Sequence, residues 1–111
     1  GSDTDIFYKF RASGGSWVAA EVVSTESTGT SNDPDLFVDS TGNAHVTWKD
    51  LTDYGGAGSN YDIFYKIKLS SSSIWSVTEV VSTVSTNGAS DPSIVVDSED
   101  NVHVLWSDST D

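Results

Sequence analysis

The chain has 111 residues, 36% of them hydrophobic, which suits the core of one domain or a part of a larger symmetric one. It holds no cysteine, so disulfides and thiol chemistry are excluded, and no apolar run approaches the roughly 20 residues that a membrane-spanning helix needs. Seventeen acidic side chains against five basic ones give a net charge of -12, with no basic surface to neutralise phosphates, so neither nucleic acid nor a membrane is an expected partner.

From the N-terminus, the first residues lack the basic-then-apolar pattern of a secretory leader, and Gly1-Ser2 reads as a cloning remnant outside the pattern that follows. Asp5-Ile6-Phe7-Tyr8-Lys9 then returns as Asp62-Ile63-Phe64-Tyr65-Lys66, and Glu21-Val22-Val23-Ser24-Thr25 as Glu79-Val80-Val81-Ser82-Thr83. Asp33-Pro34 returns as Asp91-Pro92, Val38-Asp39-Ser40 as Val96-Asp97-Ser98, and His45-Val46-x-Trp48 as His103-Val104-x-Trp106. The period is about 58 residues, about half of the aligned positions are identical, and one inserted residue near Ser70 to Ser73 is the only change of register. The first copy spans 5–48 and the second 62–106, with an inter-repeat loop over 49–61, all within one unit of 1–111.

Within each copy, β-branched and aromatic runs alternate with Gly, Ser, Asn and Asp clusters, and no helical period is sustained. The pattern predicts four short strands, near Asp62 to Lys68, Trp75 to Ser82, Ser93 to Asp97 and Asn101 to Ser107. Ser98-Glu99-Asp100-Asn101, like Ser40-Thr41-Gly42-Asn43, is a polar hairpin turn. Pro34 and Pro92 are placed where a strand begins, because proline cannot donate a ladder hydrogen bond. A four-stranded antiparallel unit of this length is the size of a β-propeller blade, and near-continuous apolar runs such as Ser93-Ile94-Val95-Val96 suit strands covered on both faces. The expected class is therefore all-β, with two blade-equivalents per chain.

The order Pro-x-Ile-Val-Val-Asp, turn, Asn-Val-His-Val-x-Trp, loop, Asp-Ile-Phe-Tyr-Lys, loop, Trp-x-x-x-Glu-Val-Val-Ser resembles the blade repeats of sialidase-like and Asp-box propellers of secreted microbial proteins. The resemblance implies that these segments are the innermost, second, third and outer strands of a blade, and that the parent family is extracellular. It also implies three arginines around the substrate in the catalytic members. This chain has only Arg11, so a sialidase reaction is not expected.

Mapped onto that order, the chain starts at a third strand and stops after a second one, which leaves two half-blades around a complete blade. Joining Ser107-Asp108-Ser109-Thr110-Asp111 to Gly1-Ser2-Asp3-Thr4 makes a shorter version of the inter-repeat loop, with Thr110-Asp111 matching Thr52-Asp53. The half-blades are expected to complete one another between copies, making a closed homo-oligomeric ring with an even number of blades. A trimer of six blades is the first choice, and a tetramer or dimer comes next. The expected interface is Ile6, Phe7, Tyr8, Trp17 and Val22 against Val102, Val104 and Trp106. A designed or excised fragment and a small repeat protein would share these features.

Two other chemistries have candidates. Trp17 and Trp75, at the start of the outer strand, with Tyr54 and Tyr61 on the loop, would stack on sugar rings as in a propeller lectin, although large aromatics ordinarily pack between blades. Asp50, Asp53, Asn60 and Asp62 would supply oxygens to a calcium ion in a glycine-rich loop, although the spacing is not that of an EF-hand and a plain connection serves as well; no cofactor is required. His45 and His103 each lie three residues before a tryptophan, on the opposite strand face, and are expected to bond a carboxylate or backbone group between blades.

Overall fold

A computed structural model of the chain describes residues 3–110; Gly1, Ser2 and Asp111, and with them the expectations placed on those residues, lie outside the described part. The described residues are all-β, without a helix. Eight strands follow in order: β1 (Phe7–Tyr8), β2 (Glu21–Val22), β3 (Ser31–Val38), β4 (Ala44–Asp50), β5 (Asp62–Lys68), β6 (Glu79–Val80), β7 (Ala89–Val96) and β8 (Val102–Asp108). They form three antiparallel sheets: β1–β2, then β3–β4–β5–β6, then β7–β8.

The repeat is visible atom by atom. Phe7 faces Val22 and Tyr8 faces Glu21, as Phe64 faces Val80 and Tyr65 faces Glu79. The hairpin from β3 to β4 is fixed by Asp39, whose carboxylate accepts the Thr41 and Asn43 amides at 3.0 Å; Asp97 does the same for Glu99 and Asn101 at 2.9 Å. Gly42 adopts a φ of 86° in that turn, and Asp100 carries the same left-handed burden at 66°, a conformation that Gly and short polar residues tolerate best.

Three expectations from sequence are corrected. Pro34 and Pro92 are not strand starts: β3 and β7 begin three residues earlier, and the register slips between Asn32 and Asp35 and between Ser90 and Ser93. Each proline sits in a bulge, where a residue without an N–H breaks no ladder bond, preceded by an aspartate at positive φ (53° and 55°). The outer strand predicted over Trp75 to Ser82 is reduced to Glu79–Val80, because serine side chains replace the ladder's carbonyls: Ile67 N–H donates to Ser76 Oγ and Ile63 N–H to Ser82 Oγ. Finally, β4 continues through Lys49 and Asp50, so the inter-repeat loop occupies 51–61.

The centre of the middle sheet is covered on both faces, but β3 and β7 alternate, with Leu36, Val38 and Val95 about half exposed, so the two-faced cover expected of Ser93-Ile94-Val95-Val96 is not seen there. On one face of the middle sheet, Val46, Trp48 and Phe64 form the main core with Ile6 and Val23 of the first sheet. On the other, β7 lies against β3, β4 and β5, and its Ile94 amide donates to Asp35 at 2.9 Å. That double cover explains why β4 is buried at nearly every position, without the alternation of a one-faced strand.

Candidate functional site

Equivalent positions of the repeat behave differently at the two ends of the chain and in its middle. Asp-Ile-Phe-Tyr-Lys forms a seven-residue strand as β5, which has neighbours on both edges, and only the two residues of β1, which has one. Phe64 is 1% exposed, whereas its equivalent Phe7 is 65% exposed. Along the other copy, Ala44 and Thr47 of β4 are 4% and 0% exposed, but Val102 and Leu105 of β8 are 41% and 75% exposed. Leu36 and Val38 of β3 are open too, while Ile94 and Val96 of β7 are buried against the middle sheet. The outward edges of β1 and β8 have no neighbouring strand among the described residues.

Two open grooves accompany these edges. One of about 320 Å³, lined by Ile6, Phe7, Tyr8, Leu36 and Val46, lies beside β1. The other, of about 380 Å³, is lined by Tyr65, Glu79, Val81, Val102 and Val104, between the middle sheet and β8. Among the residues expected at an interface, Phe7, Trp17, Val22 and Val102 are exposed, and Tyr8, Val104 and Trp106 are half-buried. Ile6 is instead 5% exposed in the chain's own core.

The histidines bond carboxylates as expected, but each carboxylate belongs to the histidine's own hairpin, β3–β4 or β7–β8, and not to a neighbouring unit. His45 Nε2 lies 2.8 Å from Asp39 Oδ2, and its Nδ1 lies 2.8 Å from the Tyr65 hydroxyl. The hydrogen bond from His45 and those from Asn43 and Thr41 hold the Asp39 carboxyl well below the usual range, although burial opposes them. Burial, with the negative charges of Glu79 and Asp39, pushes the Tyr65 phenol up to about 12, so it stays a neutral donor. In the second copy His103 Nε2 sits 3.0 Å from Asp97 Oδ2, and that bond, with those of Asn101, likewise lowers Asp97.

Between the first and middle sheets lies a polar cluster that sequence reasoning missed. Lys66 is fully buried, and its ammonium donates to Val23 O and Thr25 Oγ1 at 2.7 Å and to Glu26 at 3.1 Å. Burial alone would raise the Glu26 carboxyl; hydrogen bonds from Thr25, Thr78 and Lys66, and the Lys66 charge, bring it down to about 2. Glu26 breaks the repeat, since Val84 stands in its place in the second copy, and that departure is the only sequence signal of the cluster. Nearby, Lys68 bonds Glu21 at 2.8 Å, Trp75 donates its indole N–H to Glu21 at 3.0 Å, and the Trp75 ring meets Tyr8 edge-on at 5.2 Å.

The four sugar candidates are therefore dispersed. Trp75 is held by Tyr8 and Glu21, Tyr54 packs on Phe64 with ring centroids 6.0 Å apart, and Tyr61 lies beneath the Lys49 ammonium at 4.4 Å. Only Trp17 is largely open, with Arg11 over its ring. A groove of about 400 Å³ nevertheless runs between the first and middle sheets past Trp75, Tyr54, Glu26 and Lys66.

The four calcium candidates are not brought together as one ligand set. Asp50 accepts the Trp48 indole N–H, the Ser31 and Ser27 hydroxyls and the Thr52 amide. Asp53 accepts the Gly58 amide at 3.0 Å, and Asn60 donates to Thr86 O at 3.0 Å. Asp62 faces Asp50 across the ladder and binds the Ser82 hydroxyl at 2.7 Å through one oxygen, while the other is buried without a partner. Among the described residues no three His, Asp or Glu side chains are grouped as metal ligands. Comparison with family models, with curated protein sequences and with solved structures returned no match.

Proposed function

We propose that the three stacked sheets are consecutive blades of a β-propeller, one whole and two halves, and that the chain is a non-catalytic scaffold whose activity is to assemble with copies of itself into a closed ring. The observation that carries this reading is the contrast between equivalent positions of the repeat: Phe7 and Leu105 are exposed where Phe64 and Thr47 are buried. Phe7, Val102 and Leu105, exposed at the half-sheets, correspond to Phe64, Ala44 and Thr47, which are buried in the middle sheet. Burying a Phe or Leu side chain contributes about 1.5–3 kcal/mol, so leaving these faces open is costly. A β7–β8 half from one copy and a β1–β2 half from the next supply, in order, the four strands that β3–β6 already show.

Such a head-to-tail contact closes when the rotation per copy divides a full turn, and the number of blades is then twice the number of chains. Three chains and six blades are the preferred ring, with four or two chains next. Native mass by light scattering or mass spectrometry tests the reading. A single species of two, three or four chains is expected, and a stable folded monomer at micromolar concentration overturns it.

A second reading, carbohydrate binding, is favoured by the groove past Trp75 and Tyr54, which lies where the third and outer strands of both flanking sheets are already present. Saturable binding on a glycan array would support it, and silence across the array would leave the scaffold alone.

A further inference from the structure

Resting on that assembly reading, we infer that each seam is a β8–β1 ladder of one fixed register, closed by a polar relay shared between two copies: Asp97 and His103 of one and Tyr8 of the next. The register follows from the middle sheet, where Asp50 faces Asp62, Trp48 faces Phe64, Thr47 faces Tyr65, Val46 faces Lys66 and Ala44 faces Lys68. Carrying each residue to its equivalent sets Asp108 against Asp5, Trp106 against Phe7, Leu105 against Tyr8, Val104 against Lys9 and Val102 against Arg11 of the next copy. A slip by one residue would turn the apolar side chains of β8 to the wrong face, so the ladder specifies its register strongly.

Both partners of this ladder are set up for it within one chain. β8 repeats the preparation of β4: the Trp106 indole N–H donates to Asp108 at 3.2 Å, as Trp48 does to Asp50 at 2.8 Å. Ahead of β1, the Ser24 hydroxyl donates to Asp5 and accepts the Ile6 amide, as Ser82 does with Asp62 and Ile63. The relay is half built on each side. In the middle sheet Asp39, His45 and Tyr65 make two consecutive 2.8 Å contacts. In the second copy Asp97 already orients His103, and among the described residues His103 Nδ1 and the Tyr8 hydroxyl take part in no hydrogen bond. Setting β1 of the next copy beside β8 places Tyr8 where Tyr65 stands relative to His45.

The groove between the middle sheet and β8 receives the same strand. There Val81 and Glu79 are the equivalents of Val23 and Glu21, which meet the middle sheet through its core and through Trp75 and Lys68. The incoming copy brings Trp17 and Arg11, the equivalents of Trp75 and Lys68, so its exposed tryptophan is a packing residue that reaches Tyr65 and Glu79 across the seam.

Because the chain has no cysteine, paired thiols read the register directly. Lys9→Cys with Val104→Cys puts two thiols opposite each other on one face. Lys9→Cys with Val102→Cys displaces them by two residues, and Lys9→Cys with Leu105→Cys puts them on opposite faces. Oxidation followed by non-reducing denaturing electrophoresis is expected to give covalent multimers from the first pair, at least tenfold more than from either control. Oligomers by native mass that cross-link best through a control pair, or through none, overturn the register and leave the assembly reading standing; a monomer by native mass overturns both. For the relay, Tyr8→Phe and His103→Gln are each expected to raise the ring's dissociation constant about 3- to 10-fold, with the double variant no worse than either alone. Additive effects of the two substitutions would show that Tyr8 and His103 do not meet.

Discussion

Two carboxylates make opposite demands on pH. Glu26 titrates near 2 in the folded chain, below its ordinary 4.5, because the bonds from Thr25, Thr78 and Lys66 outweigh its burial. A depressed carboxyl contributes stability that is full above its ordinary value and is lost as the pH falls through the folded one. Glu26→Gln is therefore expected to lower the melting temperature at pH 7 and to remove part of the slope of stability between about pH 5 and 2. Thermal unfolding at half-unit steps checks this, and an unchanged slope would assign the acid sensitivity elsewhere. Asp62 runs the other way. Burial raises its carboxyl against the bond from Ser82, and the charge of Asp108 adds to the rise. Its ionised form is disfavoured by folding, so stability declines as the pH climbs through the raised value. Asp62→Asn is expected to raise the melting temperature at pH 7 and to give no advantage at pH 3, where the carboxyl is already protonated. A loss at pH 7 would show that the buried oxygen's charge is compensated.

At the scale of the element, the Asp39 and Asp97 hairpins are the same device in two surroundings. The Asp39–His45 pair is almost completely buried, with side chains 3% and 4% exposed, whereas in the Asp97–His103 pair they are 38% and 60% exposed. A charged bond shielded from water contributes more than one open to it. In the dissociated chain Asp39→Asn is expected to lower the melting temperature more than Asp97→Asn, and if the proposed ring forms the gap should narrow as protein concentration rises, because the seam would then cover His103. Melting scans over a hundredfold range of protein concentration read both effects, and a constant gap would place the second hairpin away from any seam. Most strands were legible because the repeat pairs each with a copy of itself, and Asp-Ile-Phe-Tyr-Lys is as plain in sequence as in β5. The bulges at Pro34 and Pro92 and the two-residue outer strands were not, since serine hydroxyls replace carbonyls in the ladder without altering the apolar pattern. The histidines were foreseen as carboxylate contacts but placed between units, whereas each bonds the aspartate that closes its own hairpin. The Lys66–Glu26 cluster was hidden because a lysine on a strand ordinarily reaches water, and only the packing of the first sheet on the middle one encloses it.

Over the whole molecule, charge opposes the contacts that the open edges favour. Each copy brings a net charge of -12, and its longest dimension is 47 Å. At 0.01 M salt the Debye length is about 30 Å, so most of a copy's acidic surface is felt by its neighbour; at 0.15 M it is about 8 Å and only groups at the seam interact. The contacts proposed for the seam are the β8–β1 ladder, in which Asp108 faces Asp5 and Val104 faces Lys9, the Asp97–His103–Tyr8 relay and, as the equivalent of Lys68 with Glu21, an Arg11–Glu79 pair, which is the ion pair that weakens with salt. Long-range repulsion among the excess carboxylates should outweigh that single pair. Lowering sodium chloride from 0.15 M to 0.01 M is therefore expected to raise the dissociation constant of the proposed ring roughly tenfold, measured by sedimentation velocity at fixed pH. Tighter assembly at low salt would mean that the edges meet through complementary charges, which the register proposed for β8 and β1 does not supply in sufficient number. The same dilution also separates scaffold from ligand-dependent assembly: a ring held by its own ladder forms again when salt is restored to the purified chain, with nothing else added.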